Sequence, residues 1–324
     1  MQKLKRQKII IDNKSMMEYV LANPKLAKMR QSEKNLELYL LKYSKNVFYD
    51  NLWNEYLEEC RGTIVDKDFN VISRPFTKIY NYGIERQAPV LAAATSVTAY
   101  RKVNGFMVSV TVYNGELLIS TTGSFDSTYV EMAKEMMEYH MPLDEWLQVL
   151  SNESNIGMTF MFECVHKNDP HIITEVEGMY FLGWRVKAWE GTVYGYSKLT
   201  ANLWHDFAVS ELNCYATDCY VTTVGELKEN IKECRHEGFV FYTEDGISAK
   251  IKSPYYLTSK WVARNPSTEK LVNLNKDIKH SIDEEYHGLI DCIREHIVEY
   301  TTMNEQERLG WVRSYLRSYN GYRI

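Results

Sequence analysis

The sequence predicts an α+β fold: antiparallel sheets with flanking helices, followed by a small helical C-terminal domain. Three observations carry that prediction. The middle of the chain holds two hairpin signals, further strand-like segments lie between them, and the region after about residue 266 has helical spacing.

The first hairpin is the clearest. Phe106 to Tyr113 is rich in Val, Thr and aromatics, Asn114-Gly115 follows, and Glu116 to Thr122 resumes the strand character. Asn-Gly suits a two-residue turn, in which both positions need positive φ. Met158 to Val165 and Met179 to Val186 read as two more strands. A second hairpin runs from Gly238 to Thr243, turns at Asp245-Gly246 and returns over Ile247 to Lys252. Helices are expected at Ser127 to Tyr139, Thr200 to Val209 and Gly225 to Cys234. Ser281-Ile282-Asp283-Glu284 has the capping-box pattern ahead of Leu289, Ile290, Ile293 and Ile297. Asn304 to Glu307 caps a last helix through Trp311 and Leu316. This order places one domain over residues 1–265 and a helical one over 266–324.

Composition bounds the function. The 324 residues, 45% hydrophobic and 25% charged, have the make-up of an ordinary globular protein with room for a large domain and a smaller one. A formal net charge of −5 means that any grip on a polyanion comes from local lysines and arginines. That argues against an extended duplex binder, but not against an enzyme that holds one strand end. Six cysteines, with no CxxC pair and no His-x3-His set, argue against zinc and for free cytosolic thiols. The basic start, Met1 to Lys8, is followed by only three isoleucines, too few for a signal peptide. No stretch approaches a membrane span.

Three places carry chemistry. Lys102-Val103-Asn104-Gly105 stands just before the first hairpin. Alone, it reads as readily as a loop lysine before an Asn-Gly turn. In the second hairpin, Asp245 and Gly246 as the two turn residues put 241 opposite 250 and 239 opposite 252. Glu237, Phe239 and Phe241 then share a face with Lys250 and Lys252. Phenylalanines beside both lysines imply partial burial, and a buried ammonium needs an anion such as phosphate. An exposed face with a Glu–Lys diagonal pair is the alternative. Glu163 lies in an otherwise mostly apolar strand, where an acid is costly unless it meets a metal, a cation or a ribose hydroxyl. A buried salt bridge is the alternative there.

In order and spacing the segments resemble the covalent nucleotidyltransferases, and most closely the RNA ligase 1 family of phage tRNA-repair ligases. The matching segments are Glu59-Cys60-Arg61-Gly62, Ser73-Arg74-Pro75-Phe76-Thr77-Lys78, Lys102-Val103-Asn104-Gly105, Phe162-Glu163-Cys164-Val165, Glu237-Gly238-Phe239-Val240 and Lys250-Ile251-Lys252-Ser253. The resemblance implies a nucleotidyltransferase (ATP-grasp-like ligase) domain that binds ATP and Mg2+ (or Mn2+). It implies Lys102 as the nucleophile that becomes N6-AMP-lysine. Arg61 and Glu163 would hold the ribose and phosphate end, and Lys250 and Lys252 the α-phosphate and the leaving pyrophosphate. Glu237, with Glu163, would serve the metal; Lys78 and Tyr43 would lie near the polyphosphate. Tyr180 or Phe181 would pack on adenine, with plain core the alternative. Lys250, Lys252 and Mg2+ are expected to depress the Lys102 pKa. The implied substrate is RNA ends, single-stranded or a tRNA anticodon-loop break. The implied protein is a monomer, virus-encoded and cytoplasmic in the host, with no membrane partner.

The sequence departs from that family twice. Asn104 stands where the family usually has Asp, which puts a metal or lysine-orienting role there in doubt. Thr122 stands where the family often has Lys, so one polyphosphate contact is missing or supplied elsewhere. Two other readings compete: an mRNA capping-type guanylyltransferase that uses GTP, and a non-catalytic RNA-end or nucleotide-binding module. Capping enzymes usually append a β-barrel where this chain reads as helical. Arg308, Arg313, Arg317 and Arg323, among tyrosines and Trp311, would touch RNA or form a solvated helix face.

Overall fold

The structure is a computed structural model that describes residues 10–84, 88–169, 171–189, 203–264, 279 and 282–319. It is mixed α+β, with mainly antiparallel sheets. The chain opens with α1 (Asn13–Ala22), begun by an Asp12–Ser15 capping box. Next come β1 (Ala27–Gln31), β2 (Tyr39–Tyr43), the short α2 (Lys45–Tyr49) and α3 (Glu55–Glu59), β3 (Arg61–Val65) and β4 (Val71–Ser73). These strands form an antiparallel sheet in sequence order.

The body follows. It comprises β5 (Ser96–Lys102), β6 (Phe106–Tyr113), β7 (Glu116–Thr121), α4 (Thr128–His140), α5 (Leu143–Leu150), β8 (Met158–Val165) and β9 (Gly178–Val186). It continues with β10 (Tyr215–Ala216), β11 (Cys219–Thr223), α6 (Val224–Asn230), β12 (Gly238–Tyr242) and β13 (Ser248–Lys252). A five-stranded sheet has the order β10-β9-β8-β6-β7, and a four-stranded one the order β11-β5-β12-β13. Only the short β10–β9 pairing is parallel among the described strands. Trp146 of α5 is fully buried and meets Phe162 of β8 edge-on at 5.5 Å, which seats the helices on the five-stranded sheet. The chain ends in α7 (Pro254–Arg264), α8 (His287–Glu295), α9 (Ile297–Thr302) and α10 (Glu305–Tyr319).

The Asn114-Gly115 hairpin is as expected. Tyr113 pairs with Glu116, and the two turn residues have φ of 52° and 77°. The second hairpin corrects the expected register. Gly238 faces Lys252 and Val240 faces Lys250. The cause is the turn, which holds three residues, Glu244 to Gly246, and not two. Gly246 N–H donates to the Thr243 carbonyl at 3.0 Å, and Thr243 N–H donates to the Ile247 carbonyl at 2.9 Å. A one-residue change in register flips every side chain. Phe239 and Phe241 therefore pack with Ala249 and Ile251 in a core against Val224, Leu227 and Ile231, and the lysines keep the opposite face.

Most expected helices are present with shifted ends. Gly225 to Cys234 is α6 plus a 3-10 turn, and Phe207–Glu211 is π-helical beyond an α turn at 203–206. Thr200 and Ser281 lie outside the described residues. Helix α8 begins only at His287, after a 3-10 turn at Glu284–Tyr286. Asn304 and Glu307 exchange side-chain to backbone bonds of 3.0 and 2.8 Å, the expected cap of α10. Helix α7 was not expected. Its Tyr256, Leu257 and Trp261 share one apolar cluster with Tyr286, Leu289, Ile290 and Ile293. Among the described residues no helix is long and apolar enough to cross a membrane.

Candidate active site

Strand β5 ends at Lys102, and Val103-Asn104-Gly105 carries the chain across to β6 in the five-stranded sheet. The crossing is tight. A Cβ on Gly105 would lie 2.2 Å from the Cys164 carbonyl oxygen of β8, so only glycine passes there. The same residue donates its N–H to Glu163 Oε1 at 3.1 Å, which brings that acid to the link.

The other walls come from register. Lys102 faces Gly238, and Gly238 faces Lys252; Tyr100 faces Val240, and Val240 faces Lys250. Directly paired residues share a face, so three adjacent strands present Lys102, Lys250, Lys252, Tyr100 and Val240 together. Glu237 reaches this face because Gly238 turns the backbone at φ 142°, where a Cβ would meet the Ile251 carbonyl oxygen at 2.0 Å. A cavity of about 370 Å³ results. Its polar wall has Arg61, Lys102, Glu163, Glu237, Lys250 and Lys252, and its apolar wall includes Phe76, Tyr100, Met107, Leu182 and Tyr242.

Lys102 Nζ donates to Glu237 Oε2 at 2.9 Å, and Asn104 Nδ2 donates to the same oxygen at 2.8 Å. Asn104 Oδ1 accepts from Ile173 N–H at 3.1 Å. A backbone N–H only donates, so the amide must present its oxygen there and its NH2 to Glu237. Aspartate could not make both bonds.

The charges are coupled. Burial disfavours the Lys102 ammonium, but the carboxylates of Glu237 and Glu163 outweigh it and hold its pKa above the ordinary value. Burial also opposes the Glu237 charge, yet Lys102 and Lys252 keep that carboxyl below its ordinary range. Burial raises the Glu163 carboxyl; Lys102 pulls it down and Glu237 adds to the rise. The two acids are thus pushed apart. Lys252 pulls the Lys102 pKa down, as expected of a neighbouring lysine, but does not bring it below the ordinary value. Two carboxylates prevail over Lys252, which is itself paired with Glu285.

Tyr43 and Lys78 are not among the residues that line this cavity. Lys78 Nζ lies 5.2, 4.7 and 5.4 Å from the ring centres of Phe48, Trp53 and Tyr80, and Tyr43 meets Trp53 edge-on at 4.7 Å. Arg61, which does line the cavity, donates to the carbonyl of Thr77, the neighbour of Lys78, at 3.0 Å. Tyr180 and Phe181 are core residues, Phe181 in the largest apolar cluster and Tyr180 with Val103 and Val165. Leu182, next in the strand, reaches the cavity.

Lys42 was not singled out by any motif. It pairs across the sheet with Arg61, and a Cβ on Gly123 would be 2.6 Å from its Nζ. A cation therefore stands beside Gly123, which follows Thr122, where the family often has lysine. No signal in the sequence marks Lys42; its place next to Arg61 emerges only once β2 and β3 are paired.

Among the described residues no three His, Cys, Asp or Glu side chains could hold a metal by themselves. Two carboxylates do face the cavity, Glu163 and Glu237, each engaged by the protein through one oxygen. That donor set fits Mg2+ or Mn2+, which take one or two carboxylates and complete their shell with substrate phosphate and water. At the other end of the chain Arg308 donates to the Tyr300 and Thr301 carbonyls at 2.9 and 3.0 Å and packs on the Tyr300 ring. The side chains of Arg313 and Arg317, and all of Arg323, lie outside the described residues.

No protein-family model matches the chain. In structure it is similar to a "putative ATP-dependent DNA ligase" from Aquifex aeolicus, with a TM-score of 0.56 at 13% identity over 94% of this chain and 80% of that one. It is similar to two forms of an archaeal ATP-dependent RNA ligase, each with a TM-score of 0.55. Identities are 14% and 13%, covering 95% and 94% of this chain and 76% and 77% of theirs. The chain has the nucleotidyltransferase fold that these ATP-dependent ligases share. In sequence it is similar to the "putative bifunctional polynucleotide kinase/RNA ligase" of Autographa californica nuclear polyhedrosis virus, 28% identical over 239 residues. That match covers 67% of this chain and 33% of the relative, so the chain spans about a third of the length of the curated relative it matches.

Proposed function

We propose that this chain is an ATP-dependent RNA ligase that works through a lysyl-AMP on Lys102. One observation carries the reading: Lys102, Lys250 and Lys252 share one sheet face, and Glu237 bonds Lys102 in a cavity with an apolar wall for a base. The two matched archaeal RNA ligases, with the viral relative's RNA ligase name, support RNA as the substrate class. The helical residues 282–319 support it over a capping enzyme with its β-barrel.

The base packs on Tyr100, Tyr242 and Leu182, and Arg61 and Glu163 hold the ribose and phosphate end. The neutral amine of Lys102 attacks the α-phosphorus; an N–P bond forms and the bond to pyrophosphate breaks. Lys102 holds its proton against Glu237, so that proton must pass to solvent water in the cavity before the attack. Burial then favours the neutral amine, and the charge on Lys252 adds to this. Lys250 and Lys252 offset charge on the α-phosphate and the leaving pyrophosphate. Glu237 and Glu163 would hold Mg2+ or Mn2+, which would supply further charge neutralisation. AMP passes to an RNA 5′-phosphate, and a 3′-hydroxyl attacks that phosphorus and expels AMP.

In this reading residues 1–265 form the adenylyltransferase domain and 266–324 the helical C-terminal domain. Broken RNA, tRNA anticodon-loop breaks included, is the substrate, joined by a monomer in the cytoplasm. Incubation with α-labelled ATP tests the core of it. Wild type is expected to carry the label and Lys102→Ala none. Undiminished labelling of that variant, or labelling by GTP in preference to ATP, would overturn the assignment.

A further inference from the structure

We propose that Glu285 is a positioning residue of the adenylation site: it holds Lys252 from outside the cavity and makes the C-terminal helices a working part of the reaction. The proposal rests on the ligase reading of the site.

Lys252 Nζ and Glu285 Oε1 are in direct ion-pair contact, and their side chains are 11% and 2% exposed. Lys252 lines the cavity; Glu285 does not. The carboxylate therefore stands behind the ammonium and leaves its remaining donors for the cavity. A lysine is a point charge on a flexible four-carbon stem, so an anion at its back decides where that charge sits.

Glu285 is itself well fixed. It lies in the 3-10 turn before α8, next to Tyr286, whose hydroxyl donates to the Leu257 carbonyl of α7 at 2.7 Å. Tyr286 packs on Trp261 at 5.1 Å. Asp283, two residues before Glu285, pairs with Lys260 of α7. The same apolar cluster includes Ile172 and Ile173, and Ile173 N–H holds Asn104. The C-terminal helices thus brace both sides of Lys102: Asn104 through residues 172–173, and Lys252 through Glu285.

The groups facing Lys252 set the consequence. Burial opposes its charge most, while Glu285, Glu237 and Tyr256 support it. Lys102 stands across Glu237, and Lys260 and Lys250 act on Glu285 from their own elements. Without the Glu285 charge, burial gains weight and Lys252 loses its proton at lower pH. A neutral amine cannot offset phosphate charge.

The test measures lysyl-AMP formation from α-labelled ATP against pH, using full-length Glu285→Gln and Glu285→Asp, with thermal unfolding as a check on folding. The quantity compared is the ratio of each variant's rate to that of wild type at each pH. Glu285→Gln is expected to fold and to fall behind wild type on the alkaline side, the ratio of the two rates approaching tenfold per pH unit beyond the lowered pKa of Lys252. Glu285→Asp keeps the charge and is expected to keep the wild-type profile shape. A wild-type profile for Glu285→Gln, or equal loss in both variants at every pH, overturns the proposal. Should Glu285→Gln fail to fold, Lys252→Met and the pair Lys252→Met, Glu285→Gln replace it, since removing both charges leaves neither unpaired. Equal residual rates are expected of these two, because Glu285 acts only through Lys252; a further loss in the pair overturns the proposal. A wild-type protein that forms no lysyl-AMP refutes the ligase reading instead, and so the two failures are distinguishable.

Discussion

At the scale of single residues, Asn104 explains itself once its partners are seen. Its amide bridges an N–H donor and a carboxylate acceptor, Ile173 and Glu237. Asn104→Asp would put a second carboxylate against Glu237 with no proton between them. We expect that variant to lose about 1–3 kcal/mol of stability, read as a lower melting temperature, with partial recovery as pH falls and an acid protonates. No change in melting would remove Asn104 from this role. Glu237 sets the proton on Lys102. Its charge raises the Lys102 pKa against burial, so Glu237→Gln should let the amine lose its proton at lower pH. The check is the pH dependence of Lys102 modification by an amine-reactive reagent, located by mass. The midpoint is expected to move down, and an unmoved midpoint would show that the ion pair is not what holds the proton.

At the scale of elements, one turn decides the site. The three-residue turn at Glu244 to Gly246 sets the register that sends Phe239 and Phe241 into the core and Lys250 and Lys252 into the cavity. Glu237 enters the same cavity only through the backbone of Gly238. Gly238→Ala combines a conformation that costs an L residue about 1–3 kcal/mol with a contact against the Ile251 carbonyl. We expect a clear drop in melting temperature and loss of lysyl-AMP formation. Melting and activity like the wild type would mean that the strand end relaxes and Glu237 is not placed by it.

At the scale of the molecule, a buried ion network ties the N-terminal sheet to the five-stranded sheet. Glu59 in α3 takes Arg185 of β9 through bonds of 2.9 and 2.8 Å, and Arg74 after β4 through bonds of 3.2 and 2.9 Å. Burial opposes the Glu59 charge, but Arg185 and Arg74 outweigh it and hold the carboxyl below its usual range. Its stabilisation is therefore fully present above the unfolded carboxyl pKa of about 4.3 and is lost as pH falls through the lower folded value. Glu59→Gln leaves two guanidiniums buried against a neutral partner, and we expect it to cost roughly 3–5 kcal/mol. Denaturant melts should also show a weaker acid dependence than in wild type. An unchanged melt would mean that the two guanidiniums find other partners.

Glu59 and Arg74 lie in two of the segments that resemble the RNA ligase 1 family, yet they brace each other and do not line the cavity. Motif order could not separate them from Arg61, because a charge reads the same in a strip of sequence whether it faces substrate or another charge. Burial and partners separate them.

What the sequence determined by itself was local. Asn-Gly set the first hairpin, a run of β-prone and apolar residues marked β8, and the segments around Lys102, Glu163, Glu237, Lys250 and Lys252 carried a family resemblance that implied nucleotide transfer. These signals are read along a few residues, where turn chemistry and period are strongest. The tertiary structure decided the rest. It set which face each lysine takes, which acid holds the Lys102 proton, that Lys42 stands beside Gly123, and that Lys78 sits among aromatic rings instead of lining the cavity. It also brought Glu285 to Lys252 across 33 residues of chain. Such pairings depend on a turn of three residues instead of two and on helices packed through Trp261 and Tyr286, and neither leaves a periodic mark in the sequence.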